Sequence, residues 1–131
     1  MADLIIEEGL RTKLDEIHGV ECCLYYPGVK GYAGTSDLIG IFEKIPTIID
    51  LKSKSSIMKE NYDSLQNYFT QLGAYSLAHN TVYGSNITQG VILLATTDLV
   101  FQIFRIRDEK LKEYQKKFLD RVDQYYSLIN N

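Results

Sequence analysis

Apolar side chains recur along this chain at two spacings, one typical of helices and one typical of β-strands. Intervals of three and four residues predict three helices, over residues 3–17, 62–79 and about 108–129. Short runs rich in β-branched and aromatic residues predict five strands, over residues 20–26, 32–41, 46–52, 90–97 and 99–106. The predicted order is therefore α-β-β-β-α-β-β-α, which is typical of an α+β fold with a central mixed sheet.

Length and composition indicate one globular domain spanning residues 1–131. Hydrophobic residues make up 45% of the chain and charged residues 24%, and there are nine glycines but only two prolines, so a disordered chain is excluded. No apolar run reaches the roughly 18 residues of a membrane span. The N-terminal sequence MADLIIEEGL also lacks the basic and apolar regions of a secretory signal. We therefore expect a soluble cytoplasmic protein with no membrane partner.

The cysteines and the net charge narrow the kinds of site that are possible. Cys22 and Cys23 are the only cysteines and are adjacent, so they point to opposite faces of a strand and cannot build a zinc site or an iron–sulfur cluster. The net charge of −3 does not indicate nucleic-acid binding, but residues 105–121 hold seven of the 14 basic residues. This basic stretch fits either a polyanion-binding face or an ordinary solvated helix face.

Three charged residues interrupt the apolar hairpin stretch GTSDLIGIFEKIPTIIDLKSK. If the loop is the dipeptide Glu43-Lys44, which is not a favoured sequence for a two-residue turn, Asp37 lies directly opposite Asp50. Directly opposed residues share one face of a sheet, about 5 Å apart at Cβ, and Lys52 lies on that face because side chains alternate. A four-residue loop on the same centre gives the same pairing, whereas a slip of one residue would separate the carboxylates.

Two facing carboxylates repel each other unless a cation lies between them. Lys52 alone would make a structural ion-pair cluster, whereas hard oxygen ligands suit Mg²⁺, for which Mn²⁺ can substitute. The geometry of the carboxylates leaves both possibilities open. The lysine two residues after Asp50 favours the metal site, because phosphoryl chemistry needs a cation beside the metal to position water and offset developing charge.

The ordered motifs of the chain resemble the PD-(D/E)XK nuclease superfamily. The Gly-x-x-Asp element is GTSD, residues 34–37, and the Asp-x-Lys element lies in IDLKSK, residues 49–54. Gln71 and Tyr75 on the second predicted helix form the Q-x-x-x-Y element of the RecB-like branch, which includes mitochondrial genome maintenance exonuclease and its phage and bacterial relatives. The resemblance covers about residues 8–106 and implies a restriction-endonuclease-like α-β-β-β-α-β core.

The resemblance implies a role for each residue that matches the hairpin motifs. Asp37 and Asp50 would bind the metal ion, with the backbone carbonyl of Leu51 as a further ligand. Lys52 would orient or activate the attacking water. These roles describe Mg²⁺-assisted hydrolysis of a phosphodiester bond.

Residues on the two predicted helices would complete the site. Gln71 and Tyr75 would help to place the metal-bound water, the lysine or the DNA strand. The family also carries an acidic or histidine ligand on its first helix, for which Glu8 is the best match and Glu7 the alternate. The exonuclease that the chain most resembles has a histidine one turn later, where this chain has Thr12.

Basic and aromatic residues near the motifs are candidates for contact with the nucleic acid. Lys54 and Lys59 follow the predicted catalytic lysine, and Ser53 lies between Lys52 and Lys54. Tyr32 lies near the predicted site and has a ring that could stack on an unpaired base. We expect DNA to be the partner that these residues contact.

The resemblance and the residues together predict a metal-dependent deoxyribonuclease, with an exonuclease on single-stranded DNA or strand ends favoured. The alternatives are a structure-selective or sequence-specific endonuclease on the same fold, and a catalytically silent module that binds nucleic acid or protein. The short chain suggests by analogy a phage or bacterial enzyme of DNA replication or repair, which would act in the host cytoplasm if phage-encoded. Cleavage polarity and oligomeric state are not predicted.

Overall fold

The computed structural model describes residues 5–11, 13–27, 31–59 and 63–130, which form a five-stranded sheet with two long helices. In chain order the elements are a short π-helical segment (Ile5–Leu10), β1 (Leu14–Tyr26), β2 (Tyr32–Phe42), β3 (Ile45–Lys54), α1 (Asp63–Tyr83), β4 (Gln89–Thr96), β5 (Phe101–Arg107) and α2 (Glu109–Asn130). The predicted α+β class with a central sheet is confirmed. Neither long helix carries an apolar stretch that could cross a bilayer, and the same is true of every other helical turn in these ranges.

The sheet is mixed, as the sequence predicts. Its strands lie in the order β1-β2-β3-β4-β5, so each strand pairs with its neighbours in the sequence. β3 and β4 are parallel, whereas the other neighbouring pairs are antiparallel. Parallel neighbours need a crossover connection, which α1 provides. The crossover carries α1 over the part of β3 that holds the charged residues of the hairpin.

Alternating side chains of the central strands form two apolar faces. On the first, Ile48 and Ile92 are buried under α1 and α2, and we call this the helix face. On the second, Ile49 and Leu93 are buried together with Ile5 of the π-helical segment, and we call this the opposite face. Because side chains of β3 alternate, the even-numbered residues that follow Ile48 continue along the helix face.

The prediction of a helix over residues 3–17 is wrong. Helical structure covers Ile5–Leu10, and Leu14–Tyr26 is the long edge strand β1. Leu14, Ile17 and the following Val20 stand at three-residue steps that imitate a helix, but Ile17 is 58% exposed and therefore lies on no buried stripe. Two irregularities in the pairing of β1 with β2 interrupt the strict alternation of a strand, which explains the misleading spacing.

The hairpin between β2 and β3 has the predicted register. Phe42 pairs with Ile45, and the ladder continues in step to Leu38 and Ile49. The loop is the dipeptide Glu43-Lys44, with φ angles of 50° and 69°, as a type I′ turn requires. The backbone N–H of Glu43 donates to the carbonyl of Lys13, just before β1, and that of Lys44 donates to the Asp15 carboxylate, which offsets the strain of left-handed non-glycine residues. The register therefore holds although the loop sequence is unusual.

The two long helices cross at Gly73 of α1. A Cβ atom at this position would lie 2.7 Å from the backbone of Tyr114 and of Gln115 in α2. Glycine is therefore required for the close approach of the helix backbones, and not for packing on the sheet. The crossing fixes the position of α2 beside the N-terminal half of α1, where the two helices border a cleft.

Candidate active site

Asp37 and Asp50 lie together where β2 and β3 part. The paired ladder ends at Leu38 and Ile49, one residue before the two carboxylates, which lie close enough to share a hydrogen bond when one of them is protonated. Oδ2 of Asp37 also accepts a hydrogen bond from the backbone N–H of Leu51, at 2.9 Å. The sequence prediction that the two carboxylates form one cluster is confirmed.

The pKa values of the two carboxyl groups are shifted in opposite directions. Burial, followed by the hydrogen bond with Asp37, raises the pKa of Asp50 to about 6. Burial also acts to raise the pKa of Asp37, but the hydrogen bonds from Asp50 and from the Leu51 N–H, with the charge of Lys52, outweigh it and lower that pKa. At mildly acidic pH the pair therefore holds one proton, placed on Asp50, between oxygens that would otherwise repel.

Lys52 completes the cluster on the helix face. Its Nζ lies 3.0 Å from Oδ2 of Asp50, and its side chain is only 26% exposed. The same ammonium lies 4.6 Å from the ring centroid of Tyr68 in α1, and Nζ of Lys54 lies 5.2 Å from it. Tyr68 thus holds two cations beside the carboxylates, a geometry worth about 0.5–2 kcal/mol per pair.

Tyr68 is one of the tyrosines that the sequence predicts near the site as candidates for stacking on a base, but its contact with Lys52 was not predicted. Its position three residues before Gln71 is the available signal, because residues three apart in a helix lie on one face. Sequence alone could not show that this face turns toward Lys52. That placement depends on the crossover of α1 onto β3.

The residues of the Q-x-x-x-Y element are in direct contact with each other and with β2. The amide Nε2 of Gln71 donates a hydrogen bond to the Tyr75 hydroxyl at 3.1 Å. The Tyr75 ring and hydroxyl occupy the space in which a Cβ atom on Gly34 would lie. Position 34 must therefore be a glycine to leave room for the Tyr75 side chain. This contact joins the Gly-x-x-Asp element to the Q-x-x-x-Y element.

The four residues predicted to contact nucleic acid lie in different parts of the structure. Lys54 lies in the cluster beside Tyr68, and Lys59 is exposed in the segment after β3. Ser53 lies on the opposite face, since side chains of β3 alternate. Tyr32 is engaged in packing: its hydroxyl donates to the backbone carbonyl of Ala74 at 2.7 Å, and its ring stacks on a neighbouring tyrosine.

The predicted first-helix ligand lies outside what the structure describes. The side chains of Glu8 and its alternate Glu7, and the whole of Thr12, are outside the described residues. The segment that carries the two acids packs on the opposite face, where Ile5 is buried and Gly9 lies against Leu93. Elsewhere, no group of three acidic, histidine or cysteine side chains that could hold a metal occurs among the described residues.

A cleft lies between α1, α2 and the start of β2, and Tyr68, which contacts Lys52, lies on its wall. Its volume is about 370 Å³. The residues that line it include Asn67, Tyr68, Gln71, Tyr75, Phe118 and Arg121. We call this space the helix cleft. The side chains that border it supply aromatic rings, amides and one guanidinium. Three of these residues, Tyr68, Gln71 and Tyr75, also belong to the site described above.

Much of the basic stretch at residues 105–121 serves the structure of the domain. Arg105 forms an ion pair with Glu43 of the hairpin loop, at 2.8 Å. Arg107 donates to the buried amide of Gln89, at 2.5 Å. In contrast, Arg121 lies at the helix cleft and donates to Asn67 across it, at 3.3 Å.

Comparison with known proteins shows a likeness in fold. No protein-family model matches this chain, and no curated protein sequence matches it. A crystal structure of a candidate exonuclease from Eubacterium rectale is similar, with a TM-score of 0.64 and 17% identity over 92% of this chain and 50% of that chain. The structure of the protein SSO0001 is similar with a TM-score of 0.50 and 17% identity, over 90% of this chain and 56% of that chain. This chain thus spans about half the length of these two proteins, with which it shares its α+β fold.

Proposed function

We propose that this protein is a metal-dependent DNA nuclease that hydrolyses phosphodiester bonds, acting on single-stranded DNA or strand ends. The observation that carries the proposal is the contact of Asp37 with Asp50 beside Lys52, on the face that α1 covers with Gln71 and Tyr75. A purely structural ion pair would need one carboxylate. A second carboxylate in contact with the first repels it once both are ionised, so a bound divalent cation would stabilise the ionised pair.

The donor set of the cluster fits Mg²⁺ or Mn²⁺. Both carboxylates supply hard oxygen ligands. In the absence of metal they share a proton, and a cation bound in its place would neutralise the negative charge of both groups. In a strand, the N–H and C=O of one residue point to the same side, so the carbonyl of Leu51 faces the gap into which its N–H donates. Asp37, Asp50 and the Leu51 carbonyl would hold the ion, and Glu8 remains a proposed fourth ligand.

The chain's own residues would then do the following work. A bound divalent ion supplies Lewis-acid stabilisation of the scissile phosphate and a bound water of lowered pKa. Lys52, held by Asp50 and the Tyr68 ring, would orient the attacking water and offset the negative charge that develops on the phosphate. Gln71 would fix the hydroxyl of Tyr75, so that this hydroxyl presents its proton to the strand or to the water.

The first experiment is a cleavage assay on end-labelled DNA. Purified protein is incubated with single-stranded and double-stranded substrates in Mg²⁺, in Mn²⁺ and in EDTA. We expect degradation in either metal and none in EDTA, with the single-stranded substrate degraded faster. Absence of cleavage in both metals on every DNA and RNA substrate would contradict the proposal and favour a binding module.

A closed circular single strand separates the two kinds of nuclease. An exonuclease needs a strand end, so we expect the linear form to be degraded and the circular form of the same sequence to persist. A mixture in which both forms disappear at equal rates would instead establish the endonuclease alternative. The metal requirement of the reaction would be the same in either case.

A further inference from the structure

A second cavity lies next to the helix cleft along α2. The second cavity has a volume of about 290 Å³ and is mostly apolar. It shares Tyr32, Phe118 and Arg121 with the helix cleft and adds Val122 and Tyr125 from the C-terminal half of α2. The two spaces therefore adjoin, and Arg121 lies on the border of both.

Cations and aromatic rings alternate from the carboxylate cluster, through the helix cleft, to the second cavity. At the carboxylate end, Lys52 and Lys54 lie beside the ring of Tyr68. In the middle, Arg121 contributes a guanidinium whose described contact is one 3.3 Å hydrogen bond to Asn67. Cations spaced between aromatic rings are the recognised means of binding an unpaired strand, because phosphates meet the cations and bases stack on the rings.

Tyr125 at the far end is placed for stacking. Its side chain is 58% exposed although it neighbours the buried Val122 one turn earlier in α2. Its one described ring contact is the edge of Tyr126, whose own hydroxyl is engaged with the carbonyl of Gly31 at 2.9 Å. An exposed ring held in position by a neighbouring ring binds a flat ligand at low entropic cost.

The sizes of the two spaces favour single bases over a base pair. Volumes near 370 and 290 Å³ lie at the lower end of small-ligand sites. Rigid helix backbones, which contact each other at Gly73, border the first space and limit its widening. A duplex would have to open before its strand could enter.

We propose that the two cavities form a track for an unpaired DNA strand, which leaves the carboxylate cluster, passes its backbone along Arg121 and stacks a base on Tyr125. The proposal rests on the proposed nuclease function, since it assigns the path of that substrate. It names residues outside the motifs that carry the chemistry. Binding can be measured without cleavage, so the two proposals can fail separately.

The test is equilibrium binding of a fluorescent 15-nucleotide oligothymidylate in EDTA, measured by anisotropy at several salt concentrations. The variants are Arg121→Ala and Tyr125→Ala. The matched controls are Lys116→Ala, an exposed cation on the other side of α2, and Tyr83→Ala, a tyrosine of similar exposure (63%) at the end of α1. Thermal melting of each variant verifies that it is folded, which the exposure of the four side chains leads us to expect.

Loss of a phosphate contact and loss of stacking have different signatures. Removing Arg121 should lower the slope of log K against log salt by about 0.7, the value for one contact to a single strand. Removing Tyr125 should weaken binding about tenfold at every salt concentration, because stacking does not release counterions. The two control variants should bind as the unaltered protein does, and a duplex of the same length should respond to neither substitution.

Two results would overturn the track. One is equal affinity and equal salt slope for Arg121→Ala, Tyr125→Ala and both controls, which would place the strand elsewhere while leaving the nuclease intact. The other is failure of the unaltered protein to bind the single strand. Binding that depends on Tyr125 in a protein that cleaves no DNA would support the track and overturn the nuclease proposal.

Discussion

At the scale of single residues, the protonation of the Asp37–Asp50 pair links the site to the stability of the fold. Burial of Asp50 against a second carboxylate keeps its pKa near 6, about two units above the usual value of an aspartate. The folded protein therefore binds more protons than the unfolded chain between these two values. Stability then falls as the pH rises, because ∂ΔG/∂pH follows the difference in bound protons.

The expected result is a melting temperature that decreases from about pH 4.5 to pH 7 in EDTA. Stability from the Asp50 proton is fully present below the unfolded pKa near 3.8 and is lost as the pH passes 6. Asp50→Asn keeps a neutral side chain at all pH values, so it should lack this decrease and melt above the unaltered protein at pH 7.5. Differential scanning calorimetry measures both curves.

An exposed acid provides the control for this prediction. Asp98→Asn, in the turn between β4 and β5, should keep the decrease in full. A melting temperature for the unaltered protein that rises steadily over the same interval would show that Asp50 is ionised in the folded, metal-free protein.

The residue-scale geometry could be predicted from the sequence where it depends on local pairing. A short loop and the two-residue period of strands determine that Asp37 meets Asp50, and both features are visible in the sequence. The contact of Lys52 with Tyr68 joins residues from a strand and a helix, and no local pattern encodes it. The raised pKa of Asp50 was also not predictable, since it depends on burial.

At the scale of secondary-structure elements, one glycine joins the strand that carries Asp37 to the helix that carries Tyr75. The Gly34 position faces the Tyr75 ring so closely that no side chain fits between them. Displacement of either element would move the aromatic hydroxyl relative to the carboxylates. The spacing of Gly34 and Asp37 therefore matters for the site as well as for the fold.

Gly34→Ala should lower the free energy of unfolding by about 1–3 kcal/mol, the usual cost of overpacking. Cleavage should fall with it, because Tyr75 has to shift. Urea denaturation measures the first effect and a single-turnover assay the second. Thr81→Ala, an exposed change near the end of α1, should alter neither.

A second substitution distinguishes steric conflict from a general weakness of the strand. Combining Gly34→Ala with Tyr75→Ala removes the ring that the new methyl group meets. The stability loss of the double variant should then be smaller than the sum of the two single losses. A strictly additive loss would show that the contact between the two motifs does not limit stability.

Prediction of elements succeeded where hydrophobic spacing is regular and failed where it is not. Strands β2 to β5 and both long helices lie within a few residues of their predicted ranges. The first predicted helix ends early because Leu14 and Ile17 belong to an edge strand with irregular pairing. Edge strands have few buried positions, so their sequences carry less of the alternating signal.

At the scale of the whole molecule, both long helices pack on one face of the sheet. α1 lies on this face as the crossover between β3 and β4, and α2 returns along it after β5. The crossing at Gly73 then leaves the helix cleft, on whose wall Tyr68, Gln71 and Tyr75 lie. Such a cleft arises from contacts between residues far apart in sequence, so periodicity could not predict it.

Divalent ions should stabilise the whole domain if they bind the carboxylate cluster. A ligand that binds only the folded state adds about 2.7 kcal/mol at 100 times its Kd. We therefore expect Mg²⁺ to raise the melting temperature of the unaltered protein at pH 7.5 and to leave Asp50→Asn nearly unchanged. An equal rise in both proteins would assign the effect to general salt screening.

The most direct test of the account is single-turnover cleavage of linear single-stranded DNA by Lys52→Ala. Lys44→Ala, an exposed lysine of the hairpin loop, is the matched control. We expect the unaltered protein and Lys44→Ala to cleave at equal rates in Mg²⁺, and Lys52→Ala to be slower by at least about 100-fold while keeping its fold by circular dichroism. Cleavage by Lys52→Ala at the rate of the unaltered protein would contradict the proposed site.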